Sequence, residues 1–286
     1  MLPYLVFKDI NRDHKVEVLF CPKTEYEFYE TGLFCFDDKG HKLWRYKPGR
    51  ELDYGGRVYS GDYRIFGIEP YDINHDGYLE IFLLTAHQPH SPSALVVLDW
   101  HGTPLGEFYN FGRISDLAYD DFDGDGRVEV AAAGENDEYG KACLAIFDPL
   151  RIAGSSPQSQ DFGCERCGKG SEEYYVLFPR TDVDLILKPP KEEIKAIHLL
   201  ENRRLELDTA VSHVFFELDY GARVQDVKPS DYFEEQHREL KAAGKITSNL
   251  NTAYWEALKK GVLYWNGTDW TSIPSQNLNI MGSRSP

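Results

Sequence analysis

Three stretches of this chain repeat one acidic pattern in one register, and that repetition limits the folds open to it. They are DINRDHKVE from Asp9, DINHDGYLE from Asp72 and DFDGDGRVE from Asp121. Each runs into a short β-forming segment: VEVLF, LEIFLL and VEVAAAG. A second apolar run then ends on an aspartate, at Asp37, Asp99 and Asp148, which lie 28, 27 and 27 residues after the first motif aspartate. After the first two of these a glycine turn leads to another apolar segment, in FDDKGHKLW and LDWHGTPLG. The unit reads strand, acidic loop, strand, loop, strand, turn, strand. A four-stranded antiparallel unit cannot bury both faces alone, so it must stack on copies of itself. A period of about 50 to 60 residues suits propeller blades.

The repeats span about 4–47, 63–110 and 113–150. After Pro149 the acidic motif is gone, but β-like runs continue in EYYVLFP, IKAIHLL, RLELDTAV, HVFFELD and ARVQDV. These are expected to form one or two degenerate blades. From Ser230 the texture changes. SDYFEEQHRELKAAGK has an N-cap serine, acids in its first turn and Gly244 at its end, and NLNTAYWEALKKG ends on Gly261, so two helices are expected. VLYWNGTDWTSI reads as a hairpin around Asn266-Gly267. The expected architecture is mainly β: a small or incomplete β-propeller of about 4–5 blades over 1–229, with a C-terminal α/β extension over 230–286.

Each loop offers oxygen ligands at positions 1, 3, 5 and 9, with the carbonyl of position 7 beside them. Such a loop wraps one hard cation, and Ca²⁺ accepts its irregular geometry more readily than Mg²⁺. An EF-hand is excluded, because its twelfth position needs a bidentate glutamate between helices. Here that position is Leu83 or Ala132, between strands. With the acid at position 9 and strands on both sides, the motifs resemble the FG-GAP/VCBS-type repeats of integrin α-subunit-like β-propellers. The resemblance covers roughly Leu5 to Pro149 and departs in the first loop, where His14 replaces the glycine.

The resemblance implies structural Ca²⁺ ions pinning strand corners. One would be held by Asp72, Asn74, Asp76, Glu80 and the Tyr78 carbonyl. Another would be held by Asp121, Asp123, Asp125, Glu129 and the Arg127 carbonyl. Asp9, Asn11, Asp13, Glu17 and the Lys15 carbonyl form a third candidate. The competing reading is of plain Asp/Asn turns satisfied by local hydrogen bonds. Ten motif carboxylates in a chain of net charge −16 favour a cation. The same charge argues against nucleic acid and anionic membranes, and no apolar run approaches the ~18 residues of a membrane span.

No nucleophile–base pair accompanies the loops, so the function expected is binding: a scaffold for a protein or glycan ligand. The alternatives are a polysaccharide lyase, with Arg57, Tyr59, His87 and His90 as its groove, and a sensor or assembly domain of a longer chain. The insertion RELDYGGRVYSGDYRIF, with Tyr54, Arg57, Tyr59 and Tyr63, suits either a recognition loop or an ordinary one. Cys164 and Cys167 in CERC have the spacing of half a zinc site, a local disulfide or two loop thiols. Cys21, Cys35 and Cys143 sit in apolar runs and read as core residues. Asn266-Gly-Thr also fits a glycosylation sequon. MLPYLVFKDINRD shows no signal peptide; the expectation is of a leader already removed, or of a missing N-terminal part, in an extracytoplasmic protein.

Overall fold

The computed structural model describes residues 4–22, 32–87, 91–187 and 191–274. Its contacts divide the chain into two compact units, 1–114 with 148–171 and 115–147 with 172–286. The first unit holds two main sheets. One is the meander β1 (Leu5–Lys8), β2 (Glu17–Phe20), β3 (Leu33–Phe36) and β4 (Lys42–Tyr46). A small hairpin, β5 (Leu52–Tyr54) with β6 (Arg57–Tyr59), follows it. The second main sheet is the meander β7 (Tyr63–Tyr71), β8 (Glu80–His87), β9 (Ser93–Leu98) and β10 (Pro104–Asn110).

The second unit repeats the plan. Strands β11 (Ile114–Asp120), β12 (Glu129–Asn136) and β13 (Lys141–Phe147) pair in order. The fourth place in that sheet falls to β15 (Tyr174–Leu177), antiparallel to β13. The intervening chain runs through the first unit, where β14 (Ala153–Ser155) lies parallel to β10. A last meander holds β16 (Ile194–Leu200), β17 (Arg204–Thr209), β18 (Val214–Asp219) and β19 (Val224–Pro229). The chain is therefore mainly β; among the described residues there are four meander sheets, and no sheet closes on itself.

Recurring turns define these corners. Asp37 Oδ1 accepts from Lys39 and His41 backbone N–H groups at 2.9 and 2.7 Å, and Asp99 Oδ1 from His101 and Thr103 at 2.9 and 2.8 Å. In the first two sheets the aspartate that ends the third strand thus caps the turn into the fourth. The fourth sheet uses the same device: Asp219 Oδ1 accepts from Arg223 N–H at 2.9 Å. Ala222, at φ +59°, stands where Gly40 and Gly102 have φ +83° and +82°.

Each unit has its own core. In the first, Leu19, Cys21, Leu33 and Cys35 pack with Ile68, Ile81, Leu83, Val96 and Leu98. In the second, Ala131, Ala133, Leu144 and Ile146 pack with Leu205, Leu207, Val214, Phe216 and Leu218. Burial of such side chains contributes about 1.5–3 kcal/mol each, so Phe216→Ala should cost roughly 3–5 kcal/mol.

The C-terminal region shares the second core through Phe233, Leu240 and Leu258. Helix α2 (Asp231–Ala242) starts on Ser230, whose hydroxyl accepts from Phe233 N–H, and helix α3 (Thr252–Lys260) starts on Asn251. The hairpin β20 (Leu263–Trp265) with β21 (Trp270–Thr271) adds to the edge at β15. One short helix, α1 (Asp182–Leu187), has no counterpart in the sequence expectations. No helix among the described residues is long and apolar enough to cross a membrane.

Candidate metal centre

The three acidic loops occupy residues 9–16, 72–79 and 121–128, each between the first and second strands of its sheet. Their backbones are organised alike by four hydrogen bonds. The glutamate at position 9 accepts from the N–H of position 2: Glu17 from Ile10 at 3.1 Å, Glu80 from Ile73 at 3.2 Å and Glu129 from Phe122 at 2.8 Å. The first aspartate accepts from position 6: Asp9 from His14 at 2.9 Å, Asp72 from Gly77 at 3.0 Å and Asp121 from Gly126 at 3.1 Å. Position 3 accepts from position 5 at 3.0 Å in all three, through Asn11, Asn74 and Asp123. Position 5 accepts from position 7, through Asp13, Asp76 and Asp125, which holds Lys15, Tyr78 and Arg127 in the same turn. The apolar side chain at position 2, Ile10, Ile73 or Phe122, is buried and anchors each loop.

Glycine is used at position 6 because the chain there is left-handed, with φ +86° at Gly77 and +87° at Gly126. His14 adopts φ +64° in the first loop, so the sequence departure there does not change the backbone path. The strain of an L-residue in that region is of order 1–2 kcal/mol.

In the third loop three carboxylates converge. Carboxylate oxygens of Asp121, Asp123 and Glu129 lie within 4.8 Å of one another, a group able to hold a divalent ion. Glu129 is 3% exposed. Burial first, then the charge of Asp123, push its carboxyl up to about 7. Burial likewise raises Glu17 and Glu80, with the loop aspartates adding to the effect. A cation would reverse these shifts by favouring the ionised forms.

Asp125 departs from the expected cluster: its Oδ2 accepts from Arg127 Nε at 3.0 Å. In the first two loops the middle donor is an amide. Asn11 Nδ2 donates to Glu17 Oε1 at 3.4 Å, so a cation there must turn the amide oxygen inward. In the second loop, Asp72 Oδ1 is buried and has no hydrogen-bond partner, an arrangement that costs about 1–3 kcal/mol unless something occupies it.

Sequence reasoning missed three neighbours of these loops. Arg12, at position 4 of the first loop, donates to the Asp76 carbonyl in the second and lies 5.9 Å from the Tyr78 ring. Arg203, in the turn between β16 and β17, donates to the Asp121 carbonyl at 2.7 Å. Buried Glu173 adds negative charge near Glu129. None follows a spacing rule, because each comes from outside the loop it touches.

The other candidates resolve more simply. Cys164 and Cys167 form a disulfide, and Cys21, Cys35 and Cys143 are free and buried. Arg57 lies over the Tyr59 ring at 5.0 Å, and Tyr59 meets His87 edge-on at 5.5 Å. Tyr54 and Tyr63 are buried, packed against Tyr59 and His87 respectively. His90 lies outside the described residues. Asn266 caps its hairpin by accepting from Thr268 and Asp269 N–H groups.

No family model matches the chain, and no curated protein matches it. Among solved structures, the crystal structure of the V. cholerae biofilm matrix protein Bap1 is similar in part. The identity is 16% and the TM-score 0.34, over 80% of this chain and 39% of that one. The chain thus spans about two fifths of that protein's length.

Proposed function

We propose that this chain is a calcium-stabilised binding module, with its four meander sheets serving as blades of a small propeller of the FG-GAP/VCBS kind. The reading rests above all on the Asp121, Asp123 and Glu129 oxygens lying within 4.8 Å of one another. All-oxygen donors on a flexible loop suit Ca²⁺ better than Mg²⁺. The ions brace strand corners, and exposed loops remain free to meet a protein or glycan. An extracytoplasmic setting fits the Cys164–Cys167 disulfide.

The test is thermal unfolding in millimolar Ca²⁺ against excess EDTA. Each site adds roughly 2.7 kcal/mol at 100-fold excess over Kd. Identical melting in the two conditions would remove the ions from this account.

A second reading, a polysaccharide lyase, draws on the packing of Arg57, Tyr59 and His87. Incubation with uronic-acid polymers decides it. New ultraviolet absorbance, lost in Tyr59→Phe, would support a lyase, and its absence would leave the binding module alone.

A further inference from the structure

The CERC turn sets a disulfide beside a cleft within the first unit. Cys164 and Cys167 are bonded to each other, yet their surroundings differ. Cys167 is 9% exposed and belongs to the apolar core with Tyr54 and Phe111, whereas Cys164 only packs against that core. Cys164 also borders a cleft of about 190 Å³, walled by Asp53, Gly55 and Gly56 of the β5–β6 hairpin and by Asp161 and Glu165. Cys167 is not part of that wall. The lining thus holds three carboxylates and, among the described residues, no basic side chain. Arg166, between the two cysteines, pairs with Glu51 at 3.1 Å.

Two features separate this bridge from one that holds a fold together. It joins residues only three apart in sequence, so it removes less entropy from the unfolded chain than a bridge across a long loop. The segment is also anchored on both sides without it. Before the turn, Phe162 packs on Phe111 at 4.5 Å and on Tyr54 at 6.4 Å, and Tyr54 forms a β-bridge with Cys164. After the turn, Ser155 forms a bridge with Lys169, and its hydroxyl donates to the Gly168 carbonyl at 3.4 Å. Opening the disulfide therefore leaves two thiols side by side, held for re-oxidation. A cleft-side sulfur bonded to a buried one gives an attacking thiolate a single direction of approach. The geometry points to a thiol–disulfide exchange site, with Cys164 as the sulfur attacked, Cys167 as the sulfur released and a cationic dithiol as the substrate.

The exchange balances without a further reactant. A substrate thiolate bonds to Cys164 Sγ, the bond to Cys167 Sγ breaks, and Cys167 keeps the electron pair and takes up a proton. The second substrate thiol loses its proton and attacks the substrate sulfur of the mixed disulfide. Cys164 is released and protonated in turn. Two electrons and two protons thus pass from the dithiol, which leaves as a disulfide, to the cysteine pair. The charge of the substrate follows from the wall: Asp53, Asp161 and Glu165 attract a cation and repel an anionic thiol at the point of attack. Cys21, Cys35 and Cys143 are free but buried, and take no part.

The probes are two synthetic dithiol peptides, one with its cysteines flanked by lysines and the other by glutamates, each in excess over the full chain. Each rate is divided by that of the same peptide with an uncharged linear disulfide, which removes differences in thiol reactivity. Reduction of the Cys164–Cys167 bridge is expected to run about tenfold faster with the lysine peptide, and the trapped mixed disulfide to map to Cys164. The preference should vanish when Asp53→Asn, Asp161→Asn and Glu165→Gln are combined. It should vanish equally for the parent chain in roughly 1 M salt, where charges are screened beyond about 3 Å, so the test stands even if the triple variant does not fold. An adduct on Cys167, or equal normalised rates for the two peptides, overturns the proposal. So does a rate that rises with urea in step with unfolding, since the bridge would then be reached only in the open chain. Melting that ignores Ca²⁺ defeats the ion reading alone and leaves these rates standing.

Discussion

The third and fourth sheets turn the same corner with different chemistry. Between β11 and β12 the chain uses eight residues, 121–128, which carry three aspartates and lead directly into Glu129. Between β16 and β17 it uses three, Glu201, Asn202 and Arg203. Both connections join neighbouring antiparallel strands, and the short one does so with Asn202 and Arg203 at positive φ. A strand corner in this fold therefore does not require a long acidic loop. The acids of the third loop repel one another and hold Glu129 in a buried place, which is costly without a return. A bound cation would supply that return, whereas the fourth sheet sends Arg203 toward the neighbouring loop, where it donates to the Asp121 carbonyl.

The largest effect should come from removing the donors that distinguish the two corners. Asp121→Ala with Asp123→Ala is expected to take away one site's share of the calcium stabilisation, roughly 2.7 kcal/mol at 100-fold excess over Kd. Thermal unfolding with Ca²⁺ and with EDTA measures it. An undiminished calcium shift would mean that the third loop is only a turn.

Acidity sharpens the same contrast. The Glu129 carboxyl is raised from 4.5 to about 7 by burial and then by Asp123, so the folded state holds this proton more tightly than the unfolded chain. In EDTA its contribution is fully present below about pH 4.5 and is lost as pH rises through about 7. Urea titrations across that range should show stability falling with pH, with a flatter profile in Glu129→Gln. Saturating Ca²⁺ should flatten the parent as well.

A smaller change is expected at the arginine. Arg203→Ala removes its hydrogen bond to the Asp121 carbonyl and should cost up to about 1 kcal/mol in EDTA. With the guanidinium charge gone, calorimetric affinity of the third loop for Ca²⁺ should rise by a few fold. Weaker affinity would show that Arg203 orders the loop for the ion and does not compete with it.

The smallest effect lies in the first loop. His14→Gly relieves a side chain at φ +64° but loosens the unfolded chain, so stability should change by less than about 1 kcal/mol. Gly126→Ala, at φ +87°, should be destabilising by comparison. A large gain from His14→Gly would reveal strain that the shared hydrogen bonds conceal.

Much of the sheet structure was legible. The register from Asp9 to Asp37, and its two echoes, marks strands that the structure places as meanders. The later runs IKAIHLL, RLELDTAV, HVFFELD and ARVQDV appear as β16 to β19. Their kinship with the earlier repeats was legible only as that of degenerate blades. The acidic loop is missing, and Ala222 replaces the glycine of the turn whose aspartate survives as Asp219. The fourth strand of the third sheet was hidden, because residues 148–171 leave that sheet before β15 completes it. At the candidate site, the donor pattern was readable from spacing within nine residues. The diversion of Asp125 to Arg127 and the reach of Arg12 and Arg203 were not.

By itself the sequence determined whatever is local. Alternation and turn residues define the strands, the left-handed positions define the loops, and oxygen spacing defines where a cation can sit. Only the tertiary structure decided which donors converge, how far burial lifts Glu129, and which sheet faces are covered. These depend on residues far apart in the chain, such as Arg203 against Asp121 or Val96 against the first sheet, and no short-range spacing encodes them. The bare face of Leu5, Phe7 and Phe20 is the clearest case. In sequence it is ordinary β texture, and only the structure shows that these residues stay exposed while Ile68 and Leu83, at the matching places of the second sheet, are buried.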